Sequence, residues 1–460
     1  MLPSNPFFHR GPIHDRVYFF GRERELAQAL SLLGNGQSIC VIGQRRIGKS
    51  SLLFHLADPD IFSQYQLNPA EHLFVYLDGG GLSGLDQAGF YRLFLEEICD
   101  ALALKADLPD VCSDILAQPQ SLTYRAFEQT LRLLTRQGWK PILLLDEFER
   151  LSSNPALTPD FFSGLRALTA KYPIAYVTAS KQPLLELTYA DAGALSSPFF
   201  NIFATIRLGL FSEAEARDLL ATLAAHAGLT FSPALLDFLL DLAGPHPLFL
   251  QIAGFHAFEL VQTLAQTSQV SETWEVSFDY AELRRRFLAS VEEHFGYYWR
   301  NLSPTEQRIL ATLPAATGNL SALERACLIM RRDNGYDYLS STLAEFVQAQ
   351  PIPGLLQIGA LALDQSQHQV LLTGQALNLT PSQYTLLAYL MAHAGQLITN
   401  EALEQAVWGQ EYIEDPERLK SVIKGLRHAL GPEAARLENV RGVGYRFAGG
   451  IVLRKSFRGD

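Results

Sequence analysis

Two short stretches of this chain of 460 residues combine residue types and spacings suited to phosphate chemistry. The first, Gly43-Gln44-Arg45-Arg46-Ile47-Gly48-Lys49-Ser50, fits G-x-x-x-x-G-K-[ST] at every fixed position and is followed by Ser51. Glycines at its two ends let the backbone wrap a phosphate with no Cβ in the way, so that consecutive N–H groups point inward beside a helix N-terminus. Lys49 is then placed to neutralise β- and γ-phosphate oxygens, and Ser50 to offer its hydroxyl to Mg²⁺. The second stretch is Pro141-Ile142-Leu143-Leu144-Leu145-Asp146-Glu147, an apolar run closed by two carboxylates. Asp146 is placed to hold Mg²⁺ and Glu147 to polarise the water that attacks a γ-phosphate. Lys49, Asp146 and Glu147 are thus the catalytic candidates, with Ser50 and Asp146 as the metal-holding pair. A glycine turn, or acids at a helix start, would account for either stretch alone. Together they point to a nucleotide site. No Asn-Lys-x-Asp sequence is present to read guanine, so ATP and its product ADP are the expected ligands.

Both stretches need strands to carry them. Ser38-Ile39-Cys40-Val41-Ile42 precedes the loop and Leu52, Leu53 and Leu56 follow it at helical spacing. Non-alternating apolar runs at 73–78 and 141–145 describe strands buried on both faces of a parallel sheet. Further strands are expected at Ile174–Ser180 and Asn201–Leu208, with helical patterns between them, which makes this half α/β with a mostly parallel sheet. Asp78 ends one strand where ligands of such sheets bind, and a turn role is its alternative. Residues 86–137 read as largely helical, with Gly138 as the stop. From Ser212 the pattern turns helical, beginning with a capping-box-like Ser212-Glu213-Ala214-Glu215. Arg150, Arg166 and Arg207 are equal candidates for an arginine finger, and a processive motor is disfavoured because no ring signature accompanies them.

Composition bounds the rest. A chain of this length suggests about three domains, and 48% hydrophobic with 18% charged residues describes a globular protein with sizeable cores. Cys40, Cys99, Cys112 and Cys327 lie far apart, indicating neither a disulfide framework nor a zinc site. The first residues lack a basic stretch followed by an apolar core, and no run reaches membrane-spanning length. A cytoplasmic protein with no membrane contact is expected. The net charge of −11 disfavours indiscriminate nucleic-acid binding but permits one basic surface.

Phe19-Phe20-Gly21-Arg22-Glu23-Arg24-Glu25, standing before the phosphate loop, resembles the AAA+-related signal-transduction ATPases with numerous domains (STAND) and the archaeal-type ATPases near them. The resemblance implies that Phe20, Gly21 and Arg22 hold the base or a domain interface, a plain helix cap being the alternative. It implies that Thr178 or Ser180 senses the γ-phosphate. It also implies that Pro247, in Gly244-Pro245-His246-Pro247, opens a helix that packs a lid onto the nucleotide; Pro247 suits a first helical position. Pro245 stands where the family often has glycine, and His246 reads as a turn or packing residue. Residues 303–350 carry three short helical patterns, the third opening at Tyr338 and Leu339. They resemble the small winged helix that such ATPases pack on themselves.

Beyond Gln350-Pro351-Ile352-Pro353-Gly354, strand-like Leu361–Asp364 and Gln369–Leu372 precede three helical patterns. The first is capped at Leu379-Thr380-Pro381-Ser382, the second at Asn400, and the third runs from about Pro416 to Leu430. A hairpin, Val440-Arg441-Gly442-Val443-Gly444-Tyr445-Arg446-Phe447, ends the series. Residues 356–450 closely resemble the OmpR/PhoB-type winged helix, most specifically in that hairpin. Arg418, Lys420, Lys424, Arg427 and His428 crowd the third helix against Glu417, a charge pattern suited to the DNA major groove, with Arg441 on a wing. By family correspondence Arg418, Ser421 and Lys424 face base edges, Arg427 faces phosphate and Arg441 serves the wing. Gly425 stands where arginine is common.

The expected fold is therefore multidomain: a P-loop ATPase over 1–210, a helical lid over 211–290, a small winged helix over 291–350 packing on the ATPase, and an OmpR/PhoB-type winged helix over 356–450. The function implied is a slowly hydrolysing ATP switch that controls binding to double-stranded DNA, hence transcription regulation. ADP would hold a closed monomer and ATP would permit a homo-oligomer on DNA. The alternative is a STAND-type switch or scaffold whose winged helices bind an unknown signalling protein, for example in a defence complex.

Overall fold

The computed structural model describes residues 4–7, 11–65, 67–82, 84–103, 123–187, 198–267, 278–313, 319–333, 335–351, 354–365, 368–372, 375–409 and 416–449. Cys112 lies outside them, as does the middle of the helical stretch expected at 86–137, where helices Gln87–Ala103 and Tyr124–Arg136 are described. The chain forms two compact units, residues 1–291 with 321–342, and residues 292–320 with 343–460.

The first unit is built on five parallel strands, β1 (Ser38–Ile42), β2 (His72–Asp78), β3 (Lys140–Asp146), β4 (Ala175–Ser180) and β5 (Phe203–Arg207), in the order β2-β3-β4-β1-β5. β1 and β4 are buried at every residue and β3 from Pro141 to Asp146, as helices on both faces require, and this explains the unbroken apolar run at 141–145. One face packs Phe90, Phe94, Phe127 and Leu131 over Leu143 and Leu145. The other packs Leu30, Leu52, Leu53 and Leu56 over Val41, Leu144 and Val177. β1 lies between β4 and β5, so the phosphate loop leaves the sheet centrally, with the end of β3 beyond β4.

Gly138 adopts φ +92 just past the helix Tyr124–Arg136, the left-handed stop that lets the chain turn into β3. Ser212 and Glu215 form a complete capping box on the helix Glu213–His226. Helices Pro233–Ala243 and Pro247–Thr267 follow, the latter opened by Pro247 as expected. Beyond the helix Pro304–Ala311, the third pattern read on the sequence divides differently. Tyr338 closes a hairpin of strands Ile329–Arg332 and Gly335–Tyr338, pairing with Ile329, and the helix begins only at Ser341. Alternation Tyr336, Tyr338 suits a short strand, and the chain through Ser340 makes the turn.

In the second unit, four antiparallel strands (Leu355–Ile358, Leu361–Asp364, Gln369–Leu372, Gln375–Leu377) precede helices Pro381–Ala392, Asn400–Trp408 and Pro416–Leu430 and a hairpin, Leu437–Val440 with Gly444–Phe447. Leu386, Leu390, Leu403, Leu426 and Phe447 fill one core. The cap of the middle helix is Thr399, whose hydroxyl accepts from Ala402 N–H, and Asn400 is the first helical residue. Within this unit Arg308 of helix Pro304–Ala311 places Nη1 2.7 Å from both oxygens of Asp364.

Candidate functional site: a nucleotide cavity and a basic helix

The carboxyl ends of β1 and β3 open into a cavity of about 510 Å³, within the range of small-molecule and cofactor sites. Arg45, Arg46, Ile47, Gly48, Lys49, Ser50 and Ser51 line one wall, and Asp146 and Glu147 face them. Gly48 adopts φ +104, a conformation open to glycine, and the helix Lys49–Leu56 starts directly after it. Arg46 at φ +67 and Glu147 at φ +44 hold left-handed conformations without being glycine, and such strain concentrates at ligand sites. Lys49 Nζ donates to Gly43 O at 2.8 Å and Gln44 O at 3.0 Å, which explains why those two residues shape the loop while lying off the cavity wall. Burial pulls the Lys49 ammonium below its usual range, against the opposing pull of Glu149 and Asp146. A partly desolvated cation of this kind gains from an incoming phosphate.

Asp146 is 4% exposed, and each of its oxygens accepts a hydrogen bond, Oδ1 from Glu147 N–H at 2.9 Å and Oδ2 from Tyr76 Oη–H at 3.0 Å. A Cβ at Gly79 would collide with the carbonyls of Asp146 and Glu147, so glycine there lets the two strand ends approach. Glu147 Oε2 lies 2.6 Å from Arg150 Nε. The donor set fits Mg²⁺: a hydroxyl and a carboxylate are hard oxygen ligands, and Mg²⁺ with a nucleotide needs only one or two from the protein. No group of three or more His, Cys, Asp or Glu among the described residues is arranged to hold a metal by itself.

The rest of the wall comes from elements far apart in sequence. Gly11, Pro12, Ile13, Tyr18, Phe19 and Phe20 cross it from the amino-terminal side, and Phe211 just before the helix Glu213–His226, Leu219 on that helix, and Pro247, Leu248 and Gln251 on the helix Pro247–Thr267 close it. The crossing segment is fastened to one face of the phosphate-loop helix and the turn after it. Ile13 N–H donates to Ser51 Oγ at 2.9 Å, the rings of Phe19 and His55 stack at 3.8 Å, and Arg16 pairs with Asp58. Arg22 is 3% exposed and does not act as a simple cap: its Nη2 donates to Ile47 O at 3.1 Å and Gly209 O at 2.7 Å. Its guanidinium lies 4.6 Å from the Phe211 ring centre and its Nη1 3.5 Å from Glu25. Gly21, at φ +63 and packed under Phe211, lets the chain pass there.

Three expected residues are placed elsewhere. Thr178 is fully buried and off the cavity wall, and Ser180, equally buried, spends its hydroxyl on Gln182 O at 2.6 Å. Two residues apart, their side chains lie on the same face of a sheet covered on both sides, whereas Lys181, the residue after the strand, reaches the cavity. Lys181 sits 3.6 Å from Glu149, a second charged wall residue that sequence reading passed over. Asp78 caps its own turn, accepting Gly80 N–H at 2.9 Å, and is not on the wall. Of the three finger candidates only Arg150 lines the cavity; Arg207 lines a second one of about 470 Å³ and Arg166 neither.

On the carboxyl-terminal helix, Lys420, Ser421, Lys424 and His428 are exposed and Leu419, Ile423 and Leu426 are buried, so one face is free for contact. Lys420 pairs with Glu417 at 2.7 Å. Arg418 lies over the Trp408 ring at 4.3 Å. Arg427 donates to Leu437 O at 2.7 Å, so part of its fork fixes the hairpin. Arg441 is exposed at the hairpin turn, and Arg446 pairs with Glu438 at 2.5 Å. Gly425 faces Gln383 of the first helix; an arginine there would displace that side chain before it could reach DNA.

Comparison with known proteins matches both halves. The family model Novel STAND NTPase 2 covers residues 25–297, and the model Transcriptional regulatory protein, C terminal, covers residues 374–447. The carboxyl-terminal part is similar to the sensory transduction protein RegX3 of Mycobacterium leprae, 35% identical over 96 residues, 20% of this chain and 48% of that protein. It is also similar to the response regulator protein PmrA of Pseudomonas aeruginosa, 37% identical over 87 residues, 19% of this chain and 38% of that protein. The chain thus spans about half or less of the length of the curated relatives it matches. Among solved structures, a Walker-type ATPase of Pyrococcus abyssi shares the fold at TM-score 0.53 and 16% identity, over 75% of this chain and 99% of that one.

Proposed function

The chain belongs to the Novel STAND NTPase 2 family and carries an OmpR/PhoB-type DNA-binding domain, and from that premise we propose that it is a transcription regulator whose DNA binding is set by bound ATP or ADP. One observation carries the reading: the same chain holds a phosphate-loop cavity and a helix with exposed Lys420, Ser421 and Lys424 beside an exposed wing Arg441. The sequence-drawn domains, 1–210, 211–290, 291–350 and 356–450, are the parts of this switch.

In the proposed site Lys49 leaves the Gly43 and Gln44 carbonyls for the β- and γ-phosphates, and the amides of 45–50 hold the same oxygens. Ser50 and Asp146 would hold Mg²⁺, which when bound would supply positive charge to the phosphate groups. Phe20 and the apolar residues at 211, 219 and 248 enclose the base, with Pro247 at the start of the closing helix. Lys181, which lines the cavity, reads the γ-phosphate. Glu147 accepts the proton of the attacking water, and to do so it must part from Arg150, which fits slow turnover and a lasting ATP state. A nucleotide-dependent homo-oligomer and an unidentified signalling partner complete the reading.

Lys424→Ala together with Arg441→Ala should weaken DNA binding and flatten its dependence on salt. Each lost phosphate contact removes about 0.9 from the slope of log affinity against log salt. Titrating the double variant and its parent on the same DNA at several salt concentrations checks this; identical affinities and slopes would mean that neither residue touches DNA. Lys420 and Arg446 are already paired within the domain, which favours the alternative of a protein-binding winged helix. Salt-insensitive capture of a protein, with no DNA retention, would establish that alternative.

A further inference from the structure

Tyr76 brings a hydroxyl into the apolar run from Leu73 to Leu77, and that hydroxyl is directed at Asp146 Oδ2, 3.0 Å away. The register explains the reach. Tyr76 lies opposite Leu144 and Asp78 opposite Asp146, so Tyr76 and Asp146 stand on the same face of the sheet, one step apart along it. Its ring is held by Phe54 of the phosphate-loop helix, centre to centre 4.6 Å and 28° from parallel. Phe54 in turn meets His14 of the crossing segment at 4.1 Å. The phenol therefore cannot swing away from Asp146 without disturbing the helix that carries Lys49 and Ser50. With Glu147 N–H on Oδ1 and Tyr76 on Oδ2, the carboxylate is fixed in one orientation.

We propose that Tyr76 is a positioning residue for Asp146: it orients the carboxylate so that its remaining lone pairs face the cavity, and thereby sets the affinity of the site for Mg²⁺ with nucleotide. The proposal rests on Asp146 being the metal-holding acid. Partners of this kind, one shell beyond a metal, typically contribute 10- to 100-fold in metal affinity when removed. Their effect falls on the metal and leaves the metal-free ligand alone. A tyrosine whose hydroxyl merely finds a partner on burial would instead matter for packing or not at all.

The test is fluorescent ADP binding to the full chain, titrated with Mg²⁺ from metal-free solution, for the parent, Tyr76→Phe and Asp146→Asn. For Tyr76→Phe the Mg²⁺ concentration at half effect should rise about 10-fold, while ADP affinity in chelator stays that of the parent. Asp146→Asn should remove the Mg²⁺ dependence. If Tyr76→Phe titrates like the parent while Asp146→Asn loses the dependence, the role of Tyr76 is overturned and the metal site stands. Loss of ADP affinity in chelator by Tyr76→Phe would likewise reduce Tyr76 to a packing residue. If Asp146→Asn keeps the dependence, the metal assignment itself fails.

Discussion

Lys49→Ala should lower affinity for both ADP and ATP by about 30-fold or more, since truncating a buried partner of a charge pair costs on the order of 2–5 kcal/mol. Lys49 is the least exposed cation of the phosphate loop. Its ammonium is fixed by Gly43 O at 2.8 Å and Gln44 O at 3.0 Å, and burial disfavours its charge until a phosphate arrives. Arg45 and Arg46 also line the wall but are exposed, where their charges are screened by water. They therefore replace only a fraction of what Lys49 contributes. The unliganded variant should unfold no earlier than the parent, because the substitution removes a costly buried charge. Fluorescent nucleotide titration checks both statements, and parental affinity in the variant would remove Lys49 from the phosphate site.

Arg22→Ala should have the largest effect on the ATPase unit as a folded object. The side chain joins the phosphate loop through Ile47 O, the chain after β5 through Gly209 O, and the first lid helix region through Phe211. Alanine would leave the buried Ile47 carbonyl and the part-buried Gly209 carbonyl without this donor and Glu25 without its ion pair. Breaking a buried pair by removing one partner costs on the order of 3–5 kcal/mol. Arg22→Lys keeps the charge but offers no planar fork to both carbonyls, so it should fall between parent and alanine. Chemical denaturation followed by fluorescence measures the loss. A midpoint unchanged in Arg22→Ala would show that these bonds do not hold the loop to the lid.

The nucleotide site was legible in the sequence wherever its parts are contiguous. The phosphate loop and the acids after β3 depend on local backbone geometry, and the residues that build it sit side by side. The carboxyl-terminal domain was legible for a related reason: its hairpin, Val440 to Phe447, needs Gly444, where a Cβ would run into the backbone of Ile398, so the pattern is rigid. What escaped reading arises from non-local contact. Ile13, Phe211 and Gln251 reach one cavity from three elements, and no spacing joins them. Lys181 was hidden by the hydroxyls just before it, whose burial follows from a sheet covered on both faces. A lysine directly after a buried strand at the ligand end was the available signal. Arg427 shows the converse: its position matched a pattern, and the structure commits part of its fork to Leu437 O. The hairpin at Ile329–Tyr338 was missed because two four-residue strands carry too few alternating positions to outweigh a helical spacing.

The central claim is that the nucleotide sets DNA binding, and retention of genomic fragments by the full chain tests it most directly. It is measured with ADP and with a non-hydrolysable ATP analogue, at roughly 50 and 200 mM salt. The account predicts retention that differs between the two nucleotides, falls steeply with salt, and loses its nucleotide dependence in Lys49→Ala. Equal retention with either nucleotide, or none with both, would contradict it.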